Sequence, residues 1–577
     1  MTEPTKSWPA MSRAQAEALL TAPGTPFEFE EVVIRGVPTM VWKHAPATLR
    51  DVYQQARDVW GAREFIVNGD ERITYEAFGR AAAALAEELI ARGVVKGDRV
   101  AIAMRNLPEW PVAFFGAVLA GAVATPLNAW WTGPELEYAL QDSGAKVLIT
   151  DPERLARVAP HLADCPDLKR VYSVRLAESP DPRVNRLEDI IGTPDRWASL
   201  KDRRAPDVPL EPEDDASIFY TSGTTGKPKG ALATHRNNTS NPHALAFSYA
   251  RAFVRRGEVP PPKPGPADPQ KTGIVGIPFF HTTGCHAGLI PAMMQGARIV
   301  LMRRFDAEDA MRLIQQEKAT SVGGVPAIAW MILEHPNFGK YDLSSIEGIS
   351  YGGAPASPEL VRRLKESFPK SIPGTGWGMT ETTGTHTHHQ AEDYENRPDS
   401  CGAPVGPYQI KITDPDGKEV PPGEVGELWA FGPNILKGYW NKPEATAETF
   451  VNGWVRTGDL ARIDEEGFLF IVDRAKDMLI RGGENIYCVE VENVLYEHPA
   501  VVDAALVGRP HEVLGEEPCA VVTVKPGMKA TEAELQAFVR ERLAGFKVPV
   551  SIIIRDEPLP RNANGKILKG ELKGLFA

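Results

Sequence analysis

Hydrophobic positions follow two periods along most of the chain. From about 47 to 370, short β-rich apolar runs alternate with stretches of helical texture, the pattern of strands buried between helices in mostly parallel α/β sheets. Asn68-Gly69 separates Phe65-Ile66-Val67 from Ile73-Thr74-Tyr75, which predicts a hairpin. Residues 75–91, rich in Ala, Leu and Glu, predict a helix, 99–104 a strand and 109–122 an apolar helix. Further strands are expected at 146–150, 217–220, 273–278 and 298–302. From 401 to about 472 the texture shifts to short strands and turns, as in YQIKITDPDG and GEVGELWAFG, and predicts a smaller β-rich unit. The remainder regains mixed character, with helices near 488–497 and 531–544. The longest apolar stretch, 111–124, is interrupted by glycines and too short to cross a bilayer.

Composition narrows the function classes. Sixty-four Lys and Arg stand against 76 Asp and Glu in 577 residues, a net charge of −12, which argues against non-specific binding to nucleic acid or anionic membranes. Gly and Pro number 51 and 50, above the usual share, and point to tight turns and backbone-lined binding loops. Six of the ten residues 260–269 are proline; the segment reads as a solvated polyproline-like surface loop, with a partner-docking motif as the alternative. Five scattered cysteines without a C-x-x-C support neither a disulfide framework nor a zinc ribbon. Residues 1–26 lack the apolar core of a signal peptide, and Gly-Leu-Phe-Ala at the end carries no targeting signal. A cytoplasmic location is the expectation, with a homodimer left open.

The chemistry concentrates in YTSGTTGKPKG, residues 220–230, which follows the strand candidate ASIFY. Its glycines let backbone N–H groups approach an anion. Thr221, Ser222, Thr224 and Thr225 offer hydroxyl donors, and Lys227 and Lys229 add positive charge. It is not a Walker A loop: the glycine spacing before Lys227 is too short and Pro228 replaces the Mg²⁺-binding hydroxyl.

This loop and six further segments, in order, resemble the acyl-adenylate-forming (AMP-binding) enzymes, on their acyl-CoA synthetase branch: PFFH at 278–281, YGGAP at 351–355, WGMTE at 377–381, RTGD at 456–459, DRAKD with GGENI at 473–486, and PRNANGK at 560–566. The resemblance spans roughly 47 to 572. It implies an α/β fold with a large N-terminal domain of two α/β subdomains plus a β-barrel subdomain, and a small mobile C-terminal α+β domain. The boundaries expected are 1–46 for an N-terminal extension, 47–475 for the adenylation domain, with its β-rich part at 401–472, and 476–577 for the mobile domain. The activity implied is ATP-dependent: a carboxylate and ATP give acyl-AMP and pyrophosphate, and CoA then displaces AMP. The co-substrates are ATP and CoA, with Mg²⁺.

By the same resemblance, Thr221, Ser222, Gly223, Thr224, Thr225, Gly226 and Lys227 hold the ATP phosphates. Glu381 holds Mg²⁺ and Thr380 contacts the α-phosphate. Gly353, Ala354, Pro355 and Trp377 surround the adenine; Asp459, supported by Arg474, takes the ribose hydroxyls. Lys566 bridges the attacking carboxylate and the α-phosphate. His281 flanks the carboxylate entrance. Gly482 and Gly483 admit the pantetheine arm of CoA, and Lys476 is the hinge. Thr375 stands where the family has an amide or carboxylate for the adenine. The acyl pocket is expected from His281, Gly284, Gly352, Gly376, Gly378 and Met379. The glycines leave volume for a medium- or long-chain fatty acid or an aryl acid. Gly378 is expected to leave the space of an indole, so that Gly378→Trp removes the preferred acid and spares ATP binding.

Other motifs are set aside. Thr385-His386-Thr387-His388-His389 lacks the spacing of a metal site and reads as a solvated loop. Cys285-His286 reads as packed or pocket-lining rather than as a nucleophile and base. The chain shows no carrier domain after Lys566, so a CoA ligase is favoured over an enzyme that loads a carrier protein, which remains the alternative; an inactive nucleotide-binding scaffold disagrees with Lys566, Glu381 and the phosphate loop standing together.

Overall fold

The Asn68-Gly69 turn, with Gly69 at φ +60°, joins antiparallel strands Glu64–Asn68 and Glu71–Thr74, and Thr74 caps the helix Tyr75–Ala91 that follows. The computed structural model describes residues 8–177, 182–221, 227–352, 358–525, 527–562 and 565–576. Two large sheets dominate it. The first has eight strands, ordered Gly438–Tyr439, Lys229–Thr234, Asp215–Thr221, Val123–Pro126, Arg99–Ala103, Val147–Thr150, Arg170–Ser173 and Val184–Arg186. Those from Asp215–Thr221 onward are parallel. The second has nine, ordered Ala403–Pro404, Gly384–Gln390, Ile372–Met379, Gly348–Gly352, Ser321–Gly324, Thr272–Val275, Arg298–Leu301, Glu64–Asn68 and Glu71–Thr74. It is parallel from Ile372–Met379 through Glu64–Asn68.

The helices Leu49–Trp60, Tyr75–Ala91 and Glu109–Leu119 share one core with residues of both sheets, such as Val100 and Ile149 on the first and Phe65 and Ile299 on the second. Glu109–Leu119 is buried on every side, as its continuous apolar composition requires. The β-rich unit is a five-stranded antiparallel sheet built on Gly426–Phe431 and the long strand Trp454–Ile463. A further five-stranded sheet, centred on Gly515–Val524, packs against helices Cys488–Tyr496 and Glu532–Arg540. The N-terminal segment adds a helix, Arg13–Leu20, and a hairpin, Phe29–Ile34 with Val37–Trp42. Trp42 is buried beside Phe247, Val405 and Tyr408.

One expectation is corrected outright. The histidine-rich segment is no solvated loop; it lies in the strand Gly384–Gln390, buried and antiparallel to Ile372–Met379. Each imidazole meets its own partner. His386 Nε2 meets the Gln409 carbonyl at 2.9 Å, His388 Nδ1 the Ser248 hydroxyl at 2.8 Å, and His389 Nε2 the Ser400 carbonyl at 3.0 Å. Burial holds all three neutral. These bonds satisfy one nitrogen of each ring in the core, while His389 Nδ1 has no partner among the described residues. Residues 258–271, which include the proline-rich segment, are irregular and mostly exposed.

Candidate active site

The carboxyl end of Asp215–Thr221 in the first sheet and one face of the second sheet, from Thr272–Val275 to Ile372–Met379, line one cavity of about 2330 Å³. Thr221, His281, Gly284, Gly352, Gly376, Trp377, Gly378, Met379, Thr380, Glu381, Arg474 and Lys566 all line it, as does Lys227. Ser222, Gly223, Thr224, Thr225 and Gly226 lie outside the described residues, as do Gly353, Ala354 and Pro355. Gly482 and Gly483, both at positive φ, form a turn away from the cavity. The Gly482 N–H donates to the Leu514 carbonyl, and a Cβ on Gly483 would meet nothing within 4 Å.

The phosphate-loop flanks are fixed from outside. The Tyr138 hydroxyl donates to the Pro228 carbonyl at 3.0 Å, and the Lys227 ammonium lies 4.7 Å from the Tyr138 ring centroid. Lys229 lies 4.9 Å from the Tyr439 ring. Tyr439 also donates to Glu381 Oε1 at 2.6 Å, which leaves Oε2 as the oxygen without a hydrogen-bond partner among the described residues. Sequence reasoning did not single out Tyr439. Its place in K-G-Y-W, residues 437–440, carries no signal of its own, because the strand pairing Ala231↔Tyr439 brings it there.

Asp459 lies just behind the wall and is almost fully buried. The Thr457 hydroxyl accepts from its backbone N–H. The Trp377 indole N–H donates to Asp459 Oδ2 at 2.8 Å, and Arg474 Nε stands 3.2 Å from Oδ1. A carboxylate has about four acceptor directions, so capacity for a further donor remains on each oxygen. Trp377 itself packs into the core of the β-rich unit with Leu428, Ala430 and Val455. The Thr375 hydroxyl is buried and donates to the Tyr351 carbonyl at 3.1 Å, so it is committed within the sheet.

Lys566 reaches the cavity on a loop in which the Lys566 N–H donates to Asn562 Oδ1 at 3.0 Å and Asn562 N–H to the Lys566 carbonyl at 2.9 Å. Gly565, at φ +74°, lies against Val325; a Cβ there would come within 2.8 Å of it. Burial, with Arg474 and Lys476 nearby, lowers the Lys566 ammonium to about 8, against the pull of Asp459 and Glu381. His281 Nδ1 accepts the Thr283 N–H at 3.2 Å, which puts the proton of the neutral ring on Nε2. Burial and the charge of Lys566 hold this imidazole at about 3, so it is uncharged at neutral pH. Cys285 and His286 are packed, with His286 Nε2 2.6 Å from Asn238 Oδ1.

The glycine expectation needs correction in its reason. Gly284, Gly376 and Gly378 line the cavity, but a side chain on any of them would not point into it. A Cβ on Gly378 would collide with the Gly384 carbonyl, one on Gly376 with that of Thr387 and one on Gly284 with that of Pro278. These glycines permit close backbone approach, and Gly378 lies at a register shift between its strand and Gly384–Gln390. Open volume lies instead at Gly348, where a Cβ would meet nothing within 4 Å.

The AMP-binding enzyme model matches residues 53–440, and the AMP-binding enzyme C-terminal domain model matches 490–566. The chain belongs to the AMP-binding enzyme family. It is an acid–thiol ligase, an AMP-forming acyl-CoA synthetase. A feruloyl-CoA synthase of Amycolatopsis sp is 37% identical over 509 residues, 88% of this chain and 95% of that protein. A long-chain-fatty-acid–CoA ligase of Bacillus subtilis (strain 168) is 34% identical over 527 residues, 87% and 90% of the two chains. The crystal structure of the anthranilate CoA ligase AuaEII with anthranoyl-AMP superposes with a TM-score of 0.81 at 26% identity, covering 92% of this chain and 97% of that one. No helix among the described residues is long and apolar enough to cross a membrane.

Proposed function

We propose that the chain converts a bulky carboxylic acid, a medium- or long-chain fatty acid or an aryl acid, into its CoA thioester through an acyl-adenylate. The observation that carries this is the single cavity that joins Thr221, Lys227, Glu381 and Lys566 at one end to a corridor along the second sheet as far as Gly348 and Pro260. A site for acetate alone has no use for that length.

In this reading the acid carboxylate enters beside His281, whose neutral Nε2–H donates to it. Lys566 bridges one carboxylate oxygen and the α-phosphate, and Thr380 donates to the same phosphate. Positioning and charge neutralisation supply most of the rate in such transfers, with no protein nucleophile. Asp459, held by Trp377 and Arg474, takes the ribose hydroxyls. Glu381 suits a Mg²⁺ ion, because one of its carboxylate oxygens has no partner among the described residues, its side chain lines the cavity, and Mg²⁺ favours few protein ligands beside phosphate oxygens and water. Mg²⁺ neutralises phosphate charge when bound. The Gly482–Gly483 turn serves CoA after the C-terminal domain rotates about Lys476. The test is AMP and pyrophosphate release from ATP with Mg²⁺ across a panel of fatty and aryl acids, with free CoA as the acceptor. Acid-dependent AMP release with a CoA thioester as product is expected. No AMP release with any acid would sink the proposal, and adenylate formation without transfer to free CoA would favour a carrier protein as the acceptor.

A further inference from the structure

One face of the nine-stranded sheet forms a wall of the corridor, and its register sets polar groups at a fixed depth. Gly323, Ser350, Gly374 and Gln390 are paired in one row across four neighbouring strands. Two rows on, and next on the same face, stand Gly352, Gly376 and His388. Side chains two residues apart on a strand share a face, so Gln390 and His388 lie on the same side of theirs. Ser350 is exposed although its strand lies mid-sheet, because the corridor runs over it. Gln390 lines the same corridor, is only 9% exposed, and its amide Nε2 has no hydrogen-bond partner among the described residues. A Cβ built on Gly374 would lie 3.1 Å from Gln390 Cβ and 3.2 Å from Ser350 Oγ. The two polar side chains therefore flank one glycine.

An enclosed amide without a partner is destabilising in the free protein and is satisfied by an oxygen on a ligand. Gly374 precedes Gly378 by four residues, roughly 13 Å of strand. We infer that the Ser350–Gln390 pair recognises an oxygen on the tail of the acid, a hydroxyl, methoxy or carbonyl group roughly 10 Å beyond the carboxylate. This rests on the acyl-CoA synthetase reading above and adds the class of acid: an oxygenated aryl or chain acid rather than a plain hydrocarbon one. The His388 ring, whose Nδ1 is engaged by Ser248, borders the path to that oxygen.

The experiment compares matched acids in wild type, Gln390→Leu and Ser350→Ala: cinnamate against 4-hydroxycinnamate, and decanoate against 10-hydroxydecanoate. Wild type should favour the hydroxylated member of at least one pair by about tenfold or more in kcat/KM, since sites built around a substrate hydroxyl reject analogues without it. Gln390→Leu should bring that ratio close to one by losing the hydroxylated acid while keeping the plain one. Ser350→Ala alters an exposed side chain and should lower the ratio in the same direction, which keeps the test open if Gln390→Leu does not fold. No hydroxyl preference in wild type, or a preference that neither variant changes, overturns the inference. Equal loss of both members of a pair in both variants overturns it too, because that is what a purely structural role produces. If no acid at all releases AMP, the synthetase reading fails instead.

Discussion

Lys566 shows how its surroundings change the chemistry of one residue. An exposed lysine keeps its charge far above neutral pH, whereas burial among Arg474 and Lys476 brings Lys566 to about 8. Only the ammonium form bridges two oxyanions, so adenylation should fall as pH rises through about 8, the sign expected for a cation that must stay protonated. In kcat/KM this limb reports the free enzyme. In kcat it should move upward, because bound phosphates favour the ammonium. Lys566→Ala should lower acyl-adenylate formation by roughly 10²-fold and remove the limb, while thioester formation from supplied acyl-AMP persists; an unchanged limb in the variant would assign it to another group. Trp377 makes a second case. Its indole N–H holds one oxygen of Asp459, and hydrogen bonds to charged acceptors contribute about 1.5–3 kcal/mol. Trp377→Phe should therefore raise the KM for ATP by about tenfold or more and narrow the discrimination between ATP and 3′-deoxy-ATP. A variant that loses only thermal stability, with that discrimination intact, would leave Trp377 a core residue and nothing more.

Among the elements, the strand Ile372–Met379, the turn after it and its antiparallel neighbour Gly384–Gln390 bring Gly376 to Glu381 to the cavity wall. Gly378 holds the two strands together at their register shift, with its missing side chain directed at the Gly384 backbone. Gly378→Ala should therefore displace Thr380 and Glu381 at the end of the strand, cost about 1–3 kcal/mol of stability and weaken ATP binding with every acid, the ranking of acids staying as it was. A folded Gly378→Ala variant with normal ATP affinity and a new acid profile would restore the pocket role that the sequence suggests. These two strands also mark the limit of sequence reading. The helix Tyr75–Ala91 and the hairpin at Asn68-Gly69 are legible because composition and turn chemistry agree with the fold. Gly384–Gln390 is not, because Thr and His on both faces give no apolar alternation and their burial depends on partners as distant as Ser248, Ser400 and Gln409. Ordered motifs pointed to the part of the cavity wall around Thr221, Trp377–Glu381 and Lys566. Tyr439, Ser350 and Gln390 reach it only through strand register, which no local pattern encodes.

At the scale of the molecule, the proposed mechanism has the arrangement of the C-terminal unit decide which half of the reaction the cleft serves. Here Lys566 lies in the cavity and the Gly482–Gly483 turn lies outside it, the geometry suited to adenylation. Beside the hinge, the Cys488 N–H of the C-terminal unit donates to Asp473 Oδ2 of the body; farther from it the contacts that hold this arrangement are few. Among the described residues one ion pair, Lys525 with Glu334 at 3.8 Å, crosses between the C-terminal sheet and the body, and partly exposed pairs contribute about 0–1 kcal/mol. Gly565 against Val325 adds a small apolar contact. Rotation is thus inexpensive, provided the connecting turn yields. That turn is 475–477, where the Ala475 N–H bonds the Gly458 carbonyl and the Asp477 N–H that of Arg474, while the Lys476 N–H makes no hydrogen bond among the described residues. Proline at 476 therefore removes no backbone bond but fixes φ near −65° and restricts the residue before it. Lys476→Pro should leave acyl-AMP formation within a few-fold of wild type and lower thioester formation by about tenfold or more, since a hinge that cannot absorb a φ/ψ change blocks the second arrangement. Burst formation of enzyme-bound acyl-AMP with slow release into CoA would be the kinetic sign. Both half-reactions at wild-type rates would place the hinge elsewhere, and equal loss of both would mean that the turn at 475–477 supports the fold of the cleft rather than its motion.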